Sequence, residues 1–261
     1  MSEYVVRERH GATFVIRINR PERRNAFDLD VRQGIAEAVF EARDDESVRA
    51  VVITGTDGVF CAGGDLKSLS EAKRPIFKDR DRIRRLHPWF RELVNLEKPV
   101  IAAVDGAAFG AGFNLALACD FVLATPRARF CAVFGRIGLV PDLGGFFLLP
   151  RIVGLQRAKD LVFSAREIDA EEARSMGIVM NVVPPENLLQ EALSLASRYH
   201  DASTEALGMA KNILNRSFNL DQDTLAELES SAQALAIHSE YHKEAVANFL
   251  AKRPLRFKGA K

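Results

Sequence analysis

Two nearly continuous apolar runs most constrain what this chain can fold into. They are residues 50–55 (AVVITG) and residues 99–104 (PVIAAV). A run in which polar residues do not alternate with apolar ones is typical of a strand that is covered on both faces. Glycine ends or closely follows each run, and helical periodicity lies between them. These runs predict an α/β protein in which buried strands are covered by helices.

Shorter patterns predict further elements in the first half of the chain. Residues 13–19 alternate between apolar and polar positions, and together with residues 5–10 they predict a hairpin. Asp28 is a predicted N-cap of a helix. Residues 79–95 are charged but helically periodic, and residues 121–124 predict another short strand. Strand–strand–helix units therefore recur, although without a strict sequence period.

The second half of the chain is predicted to be mainly helical. Asp169 and Glu172 indicate a capping box, and residues 178–183 are predicted to form the last strand. Amphipathic helices are predicted over residues 187–199, 203–218 and 221–250. No Gly/Ser-rich linker divides the chain. We expect a core over residues 1–200, and a helical region over residues 201–261 that serves oligomerisation and covers the active site.

Composition argues against several classes of protein. Lys and Arg total 36 against 35 Asp and Glu, and this formal net charge of +1 gives no support for nucleic-acid binding. No run approaches the roughly 18 to 20 apolar residues of a membrane span, and the N-terminus has no secretory signal pattern. The three cysteines lie among apolar residues, which favours a reducing compartment over disulfides, and no Cys/His cluster has zinc-ligand spacing. We therefore expect a cytoplasmic protein without a zinc site.

Three glycine-bearing stretches carry the candidate chemistry. They are residues 60–66 (FCAGGDL), 108–115 (AFGAGFNL) and 138–145 (GLVPDLGG). None contains the Gly-Lys-Ser/Thr sequence of a phosphate loop, and the second lacks the third glycine of a dinucleotide-binding fingerprint. In the first two stretches a buried strand enters a small-residue turn before a helix, which leaves backbone N–H groups unpaired. Two such groups that converge on one point would form an oxyanion hole.

The ordered set of motifs resembles the crotonase superfamily, which includes enoyl-CoA hydratases and isomerases. The resemblance spans nearly the whole chain and rests on Asn19-Arg20-Pro21, Asn25-Ala26, residues 61–66, residues 98–106, residues 110–112 and Cys119-Asp120. It implies a spiral of strand–strand–helix turns with a helical C-terminal extension, assembled as a homotrimer or a dimer of trimers. It also implies an acyl-CoA thioester as substrate, with coenzyme A as part of that substrate and with no metal or redox cofactor.

The resemblance assigns roles to particular residues. The backbone N–H groups of Gly64 and Ala111 would hold the oxygen of a thioester enolate. Coenzyme A would bind along an edge formed by Arg24, Ala26, Ala62, Asp65, Leu66 and Lys67. Near the C-terminus, Phe249 and Lys252 resemble residues that touch the CoA nucleotide, often from a neighbouring subunit. The alternative interpretation of Lys252 is a solvated terminal cation.

Two departures from the family pattern bear on the reaction. Hydratases of the family hold a water molecule with two glutamates, and here Asn114 occupies one of these positions. By ungapped counting, Phe134 occupies the other. Neither side chain can take up a proton at neutral pH. The remaining candidate is Asp142, at a position where isomerases of the family often carry their acid or base. From the residues alone, residues 141–144 are also a good turn sequence.

We therefore predict an enoyl-CoA isomerase that uses Asp142 to move a double bond between positions 3 and 2 of the acyl chain. The alternatives that remain open are hydration, thioester hydrolysis or displacement at the same aspartate, and a CoA- or RNA-binding protein without turnover. His87 is a weaker candidate for acid–base chemistry and is more typical of a solvated side chain. Residues 68–91 are expected to form one wall of the acyl pocket.

Overall fold

The computed structural model describes residues 4–67 and 75–259 of the chain. Within these ranges the strands are β1 (Val5–His10), β2 (Thr13–Ile18), β3 (Ala50–Gly55), β4 (Val100–Val104), β5 (Ala107–Phe109), β6 (Phe121–Ala124), β7 (Arg129–Cys131), β8 (Glu167–Asp169) and β9 (Asn181–Val182). The α-helices are α1 (Leu29–Asp44), α2 (Ile76–Arg84), α3 (His87–Val94), α4 (Ala111–Leu117), α5 (Gly145–Val153), α6 (Leu155–Ser164), α7 (Ala170–Ser175), α8 (Leu188–Ser197), α9 (Thr204–Leu214), α10 (Gln222–Ile237) and α11 (Glu240–Leu250). Short 3-10 helices cover Pro21–Arg23, Val133–Ile137 and Pro185–Asn187.

The main sheet has the strand order β1-β2-β3-β4-β6-β9. Strands β1 and β2 form the predicted antiparallel hairpin, and the remaining neighbours are parallel. In this register Phe14 pairs with Val51 and Ile53 pairs with Ala102. The two apolar runs that predicted buried strands are thus adjacent strands at the centre of this sheet, which confirms the α/β prediction.

Both faces of β3 and β4 are covered, which explains why these strands lack polar alternation. Successive side chains of a strand point to opposite faces of the sheet. Ile53 and Ala102 join the cluster that includes the buried face of α1. Val52 and Ile101 join a second cluster that contains Leu195 of α8. All four strand residues are fully buried, so a polar side chain on either face would lose its hydration without compensation.

A second, smaller sheet positions the start of α4. Its strands follow the order β5-β7-β8, in which β5 and β7 are parallel and β7 and β8 are antiparallel. The sequence patterns did not indicate these strands, because three residues are too few to establish a period. Gly110 directly follows β5, and its N–H donates to the carbonyl of Cys131 on β7 (2.9 Å). This bond fixes the turn from which α4 begins.

Three elements differ from the sequence-based predictions. Residues 79–95 form the two helices α2 and α3, and the break precedes Pro88, whose ring nitrogen cannot donate a helical hydrogen bond. Residues 221–250 are divided between α10 and α11, because the Ser239 hydroxyl caps the N-terminus of the second helix. Residues 178–183 contain only the two-residue strand β9.

The C-terminal region packs on the core mainly through α9. A Cβ atom at Gly208 would lie 2.5 Å from the Cβ atom of Glu97, and Lys211 forms a 2.7 Å ion pair with Asp120. Helices α10 and α11 lie within the described ranges and bury none of their residues. Their exposed apolar side chains include Leu235, Val246, Phe249 and Leu250. The role of residues 201–261 in oligomerisation and in covering the active site stays a prediction.

The sequence contains no apolar run long enough to predict a membrane span. Among the residues that the structure describes, every helix is too short or too polar to serve as a bilayer span.

Candidate active site

The loop that follows β3 is hydrogen-bonded to β5. The N–H of Cys61 donates to the carbonyl of Ala107 (2.9 Å), and the N–H of Phe109 donates to the carbonyl of Cys61 (3.0 Å). Cys61 and Ala108 accordingly form a parallel bridge between the two segments. The first glycine-bearing stretch of the sequence therefore lies directly beside the second.

Glycine permits these two backbones to approach each other. Gly63 has a φ of +96°, and a Cβ atom there would lie 2.8 Å from the carbonyl oxygen of Phe109 and 3.8 Å from the nitrogen of Ala111. A Cβ atom at Gly112 would overlap the carbonyl group of Cys61. Larger residues at either glycine would force the loops apart.

Gly64 and Ala111 carry the predicted oxyanion donors. Neither N–H group has a hydrogen-bond acceptor among the residues that the structure describes. Ala111 is the first residue of α4, so its N–H lies at the positive end of the helix dipole. Its backbone is not in the left-handed region, so alanine fits this position without strain. The arrangement can therefore offer two N–H groups to an oxygen that gains negative charge.

Asp142 lies in the loop between the 3-10 helix of residues 133–137 and α5. Its side chain is half-buried, and its Oδ1 atom is fully buried without a hydrogen-bond partner in the described part of the chain. Burial raises the pKa of the Asp142 carboxyl group, and the positive charges of Arg32 and Arg82 offset part of that rise. A carboxyl group in such surroundings is suited to accept and return a proton.

Asn114 connects α4 to the loop that carries Asp142. Its side chain is only 2% exposed, and its Nδ2 donates to the main-chain carbonyl of Asp142 (2.8 Å). The N–H of Gly145 donates to the same carbonyl (2.9 Å). The sequence indicated that Asn114 cannot act as an acid or base, but it gave no sign of this structural link.

Phe134 lies beside the N-terminus of α4. Its Cζ atom would be 3.6 Å from a Cβ atom at Gly110, the residue that precedes Ala111. The phenylalanine is 8% exposed. An apolar ring therefore flanks this end of the helix, at the position where sequence counting placed a hydratase glutamate.

The residues of the predicted CoA edge lie together near these loops. The N–H of Ala62 donates to the carbonyl of Arg24 (3.0 Å), whose backbone is left-handed. Asp65 accepts a 3.1 Å hydrogen bond from Arg20 and a 3.0 Å bond from the N–H of Lys67. Its carboxylate therefore stabilises a turn, while the side chains of Lys67 and its neighbour Leu66 are exposed and that of Ala26 is buried.

Arg20 contacts this edge through Asp65, and its structural role was missed in the sequence. Its Nη1 atom lies 2.8 Å from Asp28 and 3.1 Å from Asp65, so it joins the start of α1 to the loop that follows Gly64. The sequence placed Arg20 in a family motif but did not indicate its two partners.

Phe249 and Lys252 are the predicted site residues nearest the C-terminus. Both are exposed at the end of α11, and no hydrogen bond or ion pair among the described residues joins them to Gly64 or Ala111. His87 is exposed at the start of α3, and its charge acts weakly on the Asp142 carboxyl group. Of the predicted acyl-pocket wall, residues 68–74 lie outside the described residues.

A groove of about 710 Å³ runs between α1, α2 and α3. Phe27 and Trp89 contribute apolar surface, and Asp65 lies at one border. Arg32 and Arg82 also line this groove, and theirs are the charges that act most strongly on the Asp142 carboxyl group. The groove therefore borders the predicted CoA edge at Asp65, and two of the arginines that line it favour ionisation of Asp142.

Two of the three cysteines are buried, and Cys119 is partly exposed. Cys61 and Cys131 are buried, and burial raises the pKa of the Cys61 thiol to about 12. Within residues 4–67 and 75–259 no group of three or more His, Cys, Asp or Glu side chains could hold a metal ion.

Comparisons with known proteins give a consistent result. The family model described as enoyl-CoA hydratase/isomerase matches residues 8–260 of the chain. The 1,2-epoxyphenylacetyl-CoA isomerase of Escherichia coli is 36% identical over 261 residues, which cover 99% of this chain and 100% of that protein. A short-chain-enoyl-CoA hydratase of Clostridium acetobutylicum is 35% identical over 252 residues, 96% of each protein.

Solved structures agree with this similarity. An enoyl-CoA hydratase/isomerase from Cupriavidus metallidurans superimposes with a TM-score of 0.94 at 41% identity, covering 100% of this chain and 98% of that one. An enoyl-CoA hydratase from a Polaromonas species gives a TM-score of 0.90 at 34% identity, covering 95% and 97%.

Proposed function

The chain belongs to the enoyl-CoA hydratase/isomerase family of the crotonase superfamily, and on this premise we propose that it is an enoyl-CoA isomerase. Its substrate is a 3-enoyl-CoA thioester and its product is the conjugated 2-enoyl-CoA. Asp142 transfers the proton, and the N–H groups of Gly64 and Ala111 hold the thioester oxygen.

The proposed reaction needs one carboxylate. Asp142 removes a proton from carbon 2, and the electrons of that C–H bond delocalise into an extended enolate whose oxygen accepts from Gly64 and Ala111. The protonated Asp142 then returns the proton to carbon 4, and the double bond comes to lie between carbons 2 and 3. The carboxylate is regenerated, so no other reactant is consumed. The two N–H groups contribute because negative charge on the oxygen is greatest in the enolate.

The observation that carries this proposal is the contrast between Asp142 and the two hydratase positions. Asp142 has a buried, unpartnered carboxylate oxygen and a raised pKa. The amide of Asn114 donates a hydrogen bond to the main-chain carbonyl of Asp142, and Phe134 is apolar. Hydration in the usual manner of the family requires a base and an acid on one water molecule, whereas a proton shift requires only Asp142.

Binding of the CoA portion is proposed along the edge that includes Arg24, Ala26, Ala62, Asp65, Leu66 and Lys67. Phe249 and Lys252 are proposed to reach the CoA nucleotide of a neighbouring subunit in a homotrimer or a dimer of trimers. The exposed apolar side chains of α10 and α11 support such an assembly, because large apolar side chains gain free energy when a partner covers them. No metal or redox cofactor takes part in the proposed reaction.

Hydration is the second candidate, because relatives at similar identity include a short-chain-enoyl-CoA hydratase. Incubation of the purified protein with medium-chain 3-enoyl-CoA thioesters separates the two reactions. Isomerisation gives a product of unchanged mass with a new conjugated thioester band in the ultraviolet. Addition of one water would indicate hydration, and free coenzyme A would indicate thioester hydrolysis. Either of the last two as the main product, or no product across several chain lengths, would refute the proposal.

A further inference from the structure

The Asn114 side chain links α4, which carries the Ala111 N–H, to the loop that carries Asp142. It follows Ala111 by one turn of α4, so both residues lie on the same side of that helix. From there its amide reaches the main-chain carbonyl of Asp142 across a 2.8 Å hydrogen bond. The helix that carries the Ala111 N–H and the main chain of Asp142 are therefore joined through one buried side chain.

We propose that Asn114 is a positioning residue, which sets the location of Asp142 relative to the N-terminus of α4. This inference rests on the proposed isomerase function. Asn114 acts through its side-chain N–H, and it exchanges no proton with the substrate.

The packing around Asn114 allows its amide little freedom. A Cβ atom at Gly145 would lie 2.6 Å from Nδ2 and 2.9 Å from Oδ1 of Asn114. The Gly145 N–H is also the second donor to the Asp142 carbonyl. The backbone of Gly145 is not left-handed, so its conformation does not require glycine. Glycine is needed at position 145 because a side chain there would collide with the Asn114 amide.

The chemistry of the bond explains why an amide occupies this position. An ionised carboxylate cannot donate a hydrogen bond, so aspartate at position 114 would repel the Asp142 carbonyl oxygen. It would also place a second negative charge near the Asp142 carboxyl group, which would raise the pKa of that group further. Proton transfer depends steeply on placement, and a misplacement of about 1 Å can cost on the order of 10²-fold in rate.

The test uses two reactions of the intact protein. One is isomerisation of 3-enoyl-CoA, and the other is exchange of the carbon-2 protons of a saturated acyl-CoA with deuterated water, which needs only a base and enolate stabilisation. For Asn114→Ala we expect kcat for both to fall by about 10²-fold with KM unchanged. For Asn114→Asp we expect a comparable fall, and a shift of the acidic limb of the pH profile to higher pH.

A second variant, at Gly145, tests the same hydrogen bond between Asn114 and the Asp142 carbonyl. Gly145→Ala displaces the Asn114 amide, so we expect a loss of kcat on its own and no further loss when it is combined with Asn114→Ala. Such non-additivity identifies two residues that act through one interaction. Asn215→Ala is the matched control, because Asn215 Nδ2 also donates to a main-chain carbonyl, that of Val94 (2.9 Å), and neither residue belongs to the proposed site.

The outcomes separate the two proposals. Isomerisation and exchange by the wild-type protein, with both retained in folded Asn114→Ala, would overturn the positioning role and leave the proposed function intact. Additive losses in the double variant would also overturn it, as would a loss in Asn215→Ala as large as that in Asn114→Ala. Absence of both reactions in the wild-type protein would refute the proposed function, and with it this inference.

Discussion

The position that a Cβ atom would take at Gly63 lies 2.8 Å from the carbonyl oxygen of Phe109. This contact is closer than side-chain and backbone atoms tolerate, so glycine is required where the loop after β3 meets β5. The two N–H groups proposed to hold the enolate flank this point of contact: Gly64 follows Gly63, and Ala111 lies two residues after Phe109.

Gly63→Ala should impair catalysis because it separates these loops. We expect kcat/KM for 3-enoyl-CoA to fall by at least about 10²-fold, the cost typical of losing one oxyanion donor. Gly11→Ala is the matched control, since Gly11 also has a positive φ (+61°) but nothing lies within 4 Å of its Cβ position. Equal kinetic losses in the two variants would show that backbone strain, rather than the contact with Phe109, is responsible.

The pH dependence of the reaction should report the environment of Asp142. The free enzyme needs the ionised carboxylate, so kcat/KM should rise with pH as Asp142 loses its proton. Because burial raises the pKa of this group, the midpoint should lie above that of an ordinary aspartate. Arg32→Gln and Arg82→Gln should each move the acidic limb to still higher pH, since each removes a positive charge that favours ionisation. An acidic limb that stays in place in both variants would contradict this assignment.

Asp142 should also destabilise the folded protein at neutral pH. A raised carboxyl pKa means that the folded state holds its proton more tightly than the unfolded state. The free energy of unfolding therefore falls as pH rises from the unfolded pKa through the folded pKa. Asp142→Asn resembles the neutral carboxyl group, so it should raise the melting temperature at pH 7 and have little effect near about pH 4.

The stability contribution of Asp221, an exposed carboxylate that caps a helix, should depend on pH in the opposite direction. Backbone and side-chain hydrogen bonds from Thr224 lower the pKa of Asp221 at the start of α10. Its stabilising effect is therefore present above the unfolded pKa and is lost as pH falls. Thermal melts of Asp221→Ala should show destabilisation at pH 7. A stabilising effect of Asp142→Asn that did not change with pH would refute the electrostatic explanation.

Lys98 should matter for stability rather than for chemistry. Its Nζ atom is buried at the end of α1, where it donates to the carbonyls of Ala42 (2.6 Å), Arg43 (3.1 Å) and Asp45 (2.8 Å). Lys98→Met leaves these carbonyls without that donor, and should lower the free energy of unfolding by about 1–3 kcal/mol in urea titrations. Lys243→Met, at an exposed ion pair, should change it by less than about 0.5 kcal/mol. Equal effects of the two substitutions would contradict the capping role.

The central strands β3 and β4 could be predicted because their side chains are buried on both faces of the sheet. Residues 50–55 and 100–104 are covered on both faces, so the sequence itself shows the burial. Strands β5, β7 and β8 could not be predicted, because they are short and are stabilised by pairing with one another across long sequence separations. The division of residues 221–250 was missed although Ser239, the capping residue, is visible in the sequence.

The roles of Gly64, Ala111 and Asp142 were inferred from the family resemblance, and they stay predictions. The sequence shows the residue types at these positions but not their contacts. It could not indicate that the Asn114 amide meets the Asp142 carbonyl, because that contact depends on how α4 packs against the loop before α5. The assignments of Phe249 and Lys252 stay predictions, because they depend on a neighbouring subunit.

The most direct test of the central claim follows one labelled hydrogen. A 3-enoyl-CoA with deuterium at carbon 2 is incubated with the wild-type protein and with Asp142→Asn, and the products are analysed by mass spectrometry and NMR. The wild-type protein should give the conjugated 2-enoyl-CoA with deuterium at carbon 4, while Asp142→Asn should bind coenzyme A normally and turn over at least about 10²-fold more slowly. A product with oxygen at carbon 3, or equal turnover by the variant, would contradict the account.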